Sequence, residues 1–137
     1  MRIVGGRFRG QPLSAPAGDT TRPTSDRVRE AVFNVLMHGI EGFDIAGVRV
    51  LDLFAGTGAL GLEAISRGAS FCLFVEEAAA ARGALRENIE RLRLTGDTKV
   101  FRRDATTLGE AAQHGTFDLV FLDPPYRQGF ADLALAS

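Results

Sequence analysis

The chain has one cysteine and two histidines among its 137 residues, and each of these scarcities closes off a class of chemistry; it also has a single lysine, Lys99. Cys72 lies inside an apolar run with no histidine or other base near it in sequence. It is expected to be a buried, reduced core thiol and not a nucleophile. His38 and His114 stand at apparent element ends without metal-ligand spacing, so no metal centre is expected. No stretch approaches the roughly 18 consecutive apolar residues of a membrane-spanning helix, and no membrane partner is expected. No charged-then-apolar leader precedes a small-residue cleavage site, which predicts a cytoplasmic protein. Internal repeats and low-complexity tracts are lacking too; Ala78-Ala79-Ala80-Ala81 reads simply as good helix former. What remains is one domain's length of chain, 45% hydrophobic and 24% charged, the balance of a soluble globular protein with a full core.

Net charge is only −1, but the charges are unevenly placed. Residues 1–29 hold six arginines (Arg2, Arg7, Arg9, Arg22, Arg27, Arg29) against two acids, Asp19 and Asp26. A second basic cluster comprises Arg82, Arg86, Arg91, Arg93, Lys99, Arg102 and Arg103. Guanidinium forks suit bidentate phosphate contact, so nucleic acid is a natural partner. A general compositional preference for arginine accounts for the same counts. Charge alone permits a nucleic-acid substrate without demanding one.

Along the chain, residues 1–16 alternate in short segments punctuated by Gly5-Gly6, Gly10, Pro12 and Pro16, which predicts a β-hairpin or extended arm. A loop follows, and a helix opens at Thr24 or Ser25, either able to cap it, and runs to about His38. Val28, Val32, Val35 and Leu36 supply its apolar stripe at helical spacing. The remainder alternates strand and helix. Strands are expected at residues 48–54, 71–75, 98–101 and 117–122, with helices at 59–67, 78–94 and from Thr106 or Thr107 to about Gly115. Such alternation means βαβ units, hence an α/β fold with a parallel sheet and helices on both faces.

Between the first strand and its helix lies Gly56-x-Gly58-x-x-Gly61, with Glu76 placed 20 residues beyond Gly56. This glycine fingerprint first suggests a dinucleotide site, and a nicotinamide-linked oxidoreductase remains one reading of it. The acids favour another ligand. Asp52 interrupts the first apolar strand, Glu76 ends the second, Asp104 follows the third and Asp123 ends the fourth. Four carboxylates at the crevice end of the sheet suit a polyphosphate poorly. They match S-adenosylmethionine, which offers a sulfonium, an ammonium, a ribose diol and an adenine amine. Glu76 can accept both ribose hydroxyls and Asp104 the adenine amine, while bare glycines let the backbone approach the ligand closely.

The fourth strand runs directly into Asp123-Pro124-Pro125-Tyr126. Here a carboxylate, a carbonyl beside a residue without an N–H, and a flat ring stand together. A planar heterocycle with an exocyclic amine needs those tools: two acceptors for its N–H bonds and a surface to stack on. A rigid loop start is the structural alternative for the tetrapeptide taken alone.

With these residues in place, the chain resembles the class I S-adenosylmethionine-dependent methyltransferases. More narrowly it resembles the bacterial RsmD family, which methylates the N2 amine of one guanine in 16S ribosomal RNA. The similarity rests on Ile3-Val-Gly-Gly-Arg-Phe-Arg-Gly10, on Arg22-Pro-Thr-Ser-Asp-Arg-Val-Arg-Glu-Ala-Val-Phe-Asn-Val-Leu36, on Leu51-Asp-Leu-Phe-Ala-Gly-Thr-Gly-Ala-Leu-Gly-Leu-Glu-Ala64 and on Asp123–Tyr126. The resemblance implies residues 1–23 as an RNA-contacting arm and residues 24–137 as the methyltransferase domain. It implies S-adenosylmethionine as cofactor, with Asp52, Phe54, Gly56 and Gly58 at its methionine end, Glu76 at the ribose, and Asp104 and Ala105 at the adenine. Asp123, Pro124, Pro125 and Tyr126 are then the catalytic, base-holding residues. Arg7, Arg9, Arg22 and Arg27 face RNA, and Arg29 joins them or is a plain helix-face charge. The implied partner is 16S ribosomal RNA or a small-subunit assembly particle. Ala78 departs from the family, which often carries a second acid there, and Glu77 is the alternative.

The family's sheet normally continues past the fourth strand, in the order 3-2-1-4-5-7-6. Here the residues after Tyr126 should begin the next helix, leaving the fourth strand as an exposed apolar edge with the carboxyl-terminal strands missing. Two other functions therefore stay open: a DNA amine methyltransferase, which shares the tetrapeptide, and a truncated, inactive module that binds cofactor or RNA without turnover.

Overall fold

A computed structural model describes residues 1–15, 25–102 and 115–122, and the backbone of 132–135. Its helices are α1 (Asp26–Asn34), α2 (Ala59–Ser66) and α3 (Ala79–Arg91). Its strands are β1 (Arg49–Leu53), β2 (Phe71–Val75), β3 (Thr98–Phe101), β4 (Leu119–Leu122) and β5 (Asp132–Leu135). They form one sheet in the order β3-β2-β1-β4-β5. The first four are parallel, as strand–helix alternation requires, and β5 is antiparallel to β4.

That last strand corrects an expectation. Residues 132–135 form no helix, and β4 is not the sheet's edge, since Leu119 pairs with Leu135 and Leu122 with Asp132. An open strand edge presents a row of unpaired N–H and C=O groups that a four-residue run satisfies directly. A helix so short would leave most of its own groups unbonded.

Helix α1 begins where a serine can cap it: Ser25 Oγ accepts the Val28 N–H at 3.2 Å. It passes into a π-helical turn, Val35–Gly39, in place of an unbroken α-helix to His38. Its inward face is only partly the predicted one, with Leu36 and Val32 on the core as expected. Arg29, Phe33 and Leu36 are buried, whereas Val28 and Val35 are 37% and 54% exposed.

Alternation along the strands divides the core. Val50, Cys72, Phe74, Leu119 and Phe121 point to the face covered by α1, α2 and α3, where Phe33, Leu36, Leu62, Ile65, Leu85 and Ile89 meet them. Leu51, Leu53, Leu73 and Val75 form a second cluster on the opposite face. Each large apolar side chain so enclosed contributes about 1.5–3 kcal/mol. Residues 1–13 double back on themselves and dock on the first face. Ile3 N donates to Gln11 O and Leu13 N to Met1 O, and both Ile3 and Leu13 enter the main core. The turn between lies so close to α2 that a Cβ on Gly6, whose φ is +80°, would sit 2.0 Å from Ser66 O.

Candidate cofactor and nucleic-acid site

The chain leaves β1 through a turn that few sequences could follow. Phe54 and Gly56 take φ of 57° and 58°, and Gly58 takes 87°. For a bulky residue such as Phe54 this backbone is strained by on the order of 1–3 kcal/mol, a cost found mainly where function demands it. The Ala55 N–H donates to Val75 O at 3.0 Å and the Gly58 N–H to Ala55 O at 2.8 Å, which ties the turn to the end of β2.

The three glycines do different work. A Cβ on Gly58 would lie 2.3 Å from Leu85 Cδ1, and one on Gly61 would lie 2.4 Å from Phe74 Cε1 and 2.6 Å from Cys72 Sγ. Both therefore allow α2 to pack against α3 and β2. Around Gly56 there is nothing within 4 Å of the Cβ position among the described residues, so of the three only this glycine is not closed in by core side chains. The sequence treated Gly56 and Gly58 alike as room for a ligand; the packing separates them.

Two predicted acids are set against this turn. Asp52 shares the helix-bearing face with Val50 and is 1% exposed, and its Oδ2 accepts the Gly61 N–H at 3.1 Å. A carboxylate beneath the first turn of α2 complements the orphan amides and the positive end of the helix dipole. Glu76 is more accessible. Its Oε1 accepts from Gly56 N at 2.7 Å, and its Oε2 from Ala78 N at 2.8 Å. The acid expected at a ribose thus already touches the glycine left uncrowded among the described residues, 20 residues away in sequence. The carboxylate keeps further lone pairs for hydroxyl donors, and Gly56 offers a close approach. This donor set fits a nucleoside with a diol.

The register places the ends of β1, β2, β3 and β4 level. Leu53 pairs with both Val75 and Leu122, and Val75 with Phe101. Asp104, Ala105, Arg22 and the tetrapeptide Asp123, Pro124, Pro125, Tyr126 lie outside the described residues. Leu122, the residue before Asp123, pairs with Leu53, the residue before Phe54.

Among the arginines assigned to RNA, Arg7, Arg9 and Arg27 are exposed. Arg29 is not, and its expected exposure is corrected. Fully buried, it donates from Nε to Glu63 Oε1 at 3.1 Å and from Nη2 to Asp26 Oδ1 at 2.8 Å and to Arg2 O. The second basic cluster is divided as well. Arg86, Arg93, Lys99 and Arg102 are exposed, Arg82 is buried, and Arg91 grips Pro12 O and Ser14 Oγ.

Sequence reasoning missed the side chains that hold the arm to the site. Glu63 accepts the Val4 and Gly5 amides at 2.8 Å each, and Arg67 Nε at 2.8 Å. Asn88, also fully buried, exchanges hydrogen bonds with both backbone groups of Ser14 and donates to Thr57 O at 3.0 Å. One amide therefore joins the arm to the glycine turn. A signal was present: Asn88 stands beside Leu85 and Ile89 on the apolar face of α3, where a polar residue needs buried partners.

Electrostatics follow the same contacts. Burial acts to raise the Asp26 carboxyl, but hydrogen bonds from Arg29 and the Arg2 amide, with nearby positive charge, hold it below the usual aspartate range. Burial, aided by the Asp52 charge, pushes the Cys72 thiol well above its ordinary value, in keeping with an inert core thiol. A cavity of about 320 Å³ lies at the opposite end of the sheet, by Val48 and Asp118. Its Asp44 and Asp118 already accept the Ala46 and Arg49 amides.

The geometry agrees with what related proteins show. The profile of the family described as Conserved hypothetical protein 95 matches residues 1–136. Bacillus subtilis YlbH is 44% identical over 130 residues, which cover 93% of this chain and 68% of its own. Ribosomal RNA small subunit methyltransferase D of Escherichia coli K12 is 41% identical over 133 residues, covering 96% of this chain and 63% of its own. The chain thus spans about two thirds of the length of the curated relatives it matches. The solved Thermus thermophilus protein TTHA0928 superimposes with a TM-score of 0.76 at 38% identity, over 92% of this chain and 70% of that one. A more distant structure, SMU.776 complexed with SAH, has a TM-score of 0.56 at 26% identity, over 72% of this chain and 25% of that one. A parallel sheet, a strained glycine turn facing an acid, and a family profile matched along almost the whole length converge, and the chain belongs to the Conserved hypothetical protein 95 family, that of ribosomal RNA small subunit methyltransferase D.

Proposed function

We propose that this protein transfers a methyl group from S-adenosylmethionine to the exocyclic N2 amine of a guanine in 16S ribosomal RNA, as free RNA or within a small-subunit particle. The observation that carries the cofactor assignment is the contact between Glu76 and Gly56, an acid at the end of β2 against the one glycine of the turn whose Cβ position meets nothing among the described residues. The bound SAH of a related structure and the name of the Escherichia coli relative support it.

When bound, S-adenosylmethionine supplies a methyl group activated by a sulfonium. Asp52, Phe54, Gly56 and Gly58 form the methionine end of its site, with Gly58 shaping the turn by packing under Leu85 and Asp52 acting from beneath through the Gly61 amide. Glu76 accepts from the ribose hydroxyls, and Asp104 and Ala105 hold the adenine. Asp123 and the Pro124 carbonyl accept the two N–H bonds of the target amine. That frees the nitrogen lone pair, otherwise delocalised into the ring, to pyramidalise and attack in line. Pro125 stiffens the loop and Tyr126 stacks on the base, so positioning and acceptor placement supply most of the rate enhancement. Asp123 receives the proton afterwards. The base must leave any stack before it reaches these residues. Arg7, Arg9, Arg22 and Arg27 bind the RNA backbone.

Incubation with unmodified small-subunit RNA or particles, followed by mass-spectrometric mapping, tests the reading. Methylated guanine N2 is the expected product, and Asp123→Ala should abolish it while leaving S-adenosylhomocysteine binding intact. Methyl transfer to duplex DNA instead, or cofactor binding with no product on either nucleic acid, would overturn the assignment.

A further inference from the structure

The turn that carries Glu76 is held from two sides. Its carboxylate reaches outward to Gly56 N and Ala78 N, and its own N–H donates to Phe101 O at 3.1 Å. From the helix side, Arg82 Nη1 donates to the Glu76 carbonyl at 3.2 Å and to that of Glu77. Arg82 is only 8% exposed, one turn into α3, among the neighbours Ala84 and Leu85 of the buried face. Its Nε is buried without a hydrogen-bond partner among the described residues. Burying a guanidinium is costly, and leaving one of its N–H groups unpaired adds to that cost. Surface stabilisation of a helix start needs no such residue, since an aspartate or serine cap would do. Yet the cap position here is Ala78, which offers no side-chain acceptor, and Glu76 Oε2 takes the Ala78 amide in its place.

We infer that Arg82 is a positioning residue for the cofactor site: its guanidinium locks the Glu76–Glu77 carbonyls and thereby fixes the direction of the Glu76 carboxylate before ligand arrives. The inference rests on the assignment of Glu76 to the ribose. The N–H, the C=O and both carboxylate oxygens of Glu76 are all engaged by groups from β3, α3 and the glycine turn. Only the carbonyl depends on a long side chain, and that side chain is Arg82. Without it the peptide after Glu76 is free to rotate, and the two carboxylate contacts must hold the turn alone. The acid then spends part of its time away from the diol, and ligand affinity falls in proportion to that loss of preorganised population.

Calorimetry with S-adenosylhomocysteine on the wild type, Arg82→Met, Glu76→Gln and the double variant tests this, with thermal unfolding of each protein alongside. Arg82→Met should weaken binding roughly tenfold in the wild-type background, the worth of one charge-assisted hydrogen bond, and less than about twofold once Glu76 is already changed. Arg82→Lys, which keeps the stem and charge but not the fork, should fall between and serves if the methionine variant does not fold. Equal losses in both backgrounds overturn the inference, because Arg82 would then act on the ligand or the fold independently of Glu76. Unchanged affinity in Arg82→Met and Arg82→Lys overturns it too. A wild-type protein that fails to bind S-adenosylhomocysteine instead overturns the cofactor assignment itself, and that result is read before any variant.

Discussion

Glu63 and Arg29 meet at 3.1 Å with neither side chain exposed to solvent. The same carboxylate receives Arg67 Nε and two backbone amides of the amino-terminal segment, so one acid joins that segment, α1 and α2. A buried ion pair of this kind stabilises little relative to a well-packed apolar replacement, but losing one partner is severe. Its value here is geometric, because it fixes where the exposed Arg7 and Arg9 emerge.

Glu63→Gln should therefore destabilise the protein by about 2–4 kcal/mol, since the buried Arg29 keeps only the part-exposed Asp26 as counter-charge and the part-buried Arg67 loses its paired carboxylate. Equilibrium denaturation in urea measures it. A loss below about 1 kcal/mol would mean that the network relaxes to solvent and does not anchor the arm.

Gly61→Ala adds one carbon where Phe74 and Cys72 already stand at 2.4 and 2.6 Å. The expected cost is about 1–3 kcal/mol from forced displacement of α2 or of the Phe74 ring. Gly56→Ala meets no atom of the described residues and carries there only the backbone penalty of its positive φ. Comparing the two by thermal unfolding separates packing glycine from ligand-facing glycine, and equal losses would refute the distinction.

Asp26 gives a pH signature. Its folded carboxyl lies below the usual aspartate range, so the unfolded chain binds its proton more readily. The stabilisation is complete above the unfolded pKa of about 4 and is lost as pH falls through the lower folded value. The difference in Tm between the wild type and Asp26→Asn should be largest near neutral pH and shrink toward zero below about pH 4. With the carboxylate 46% exposed, the effect is modest and salt-sensitive. A difference that widened on acidification would reverse the assigned sign.

Cys72 is fully buried and its thiol is held in the protonated form by burial and by Asp52. It should resist thiol reagents at about pH 8 in native buffer and react completely in denaturant, making it a reporter of global unfolding. Rapid labelling of the native protein would show that β2 opens locally.

Much of the architecture was legible because buried parallel strands announce themselves as apolar runs. Phe71–Val75 and Thr98–Phe101 fall where those runs predict, and Ser25 caps α1 as its side chain allows. The glycine turn and Glu76 were legible as well, being a local motif and an acid at a strand end. The inward face of α1 was legible only in part. Counting apolar residues put Val28 and Val35 inside, whereas Arg29 is inside because Glu63, 34 residues later, is there to receive it. Nor could spacing foretell that residues 132–135 pair with β4, which depends on an edge lying free beside them.

By itself, then, the sequence determined the strands of the parallel sheet, the turn after β1 and the acids available to it, since these follow from local hydropathy and backbone preference. Tertiary structure alone decided which polar groups are buried, Arg29, Glu63, Arg82 and Asn88 among them. It also decided which glycines of the turn are closed in by core side chains. A buried polar group is tolerated only where partners distant in sequence converge on it, and convergence is a property of the folded chain.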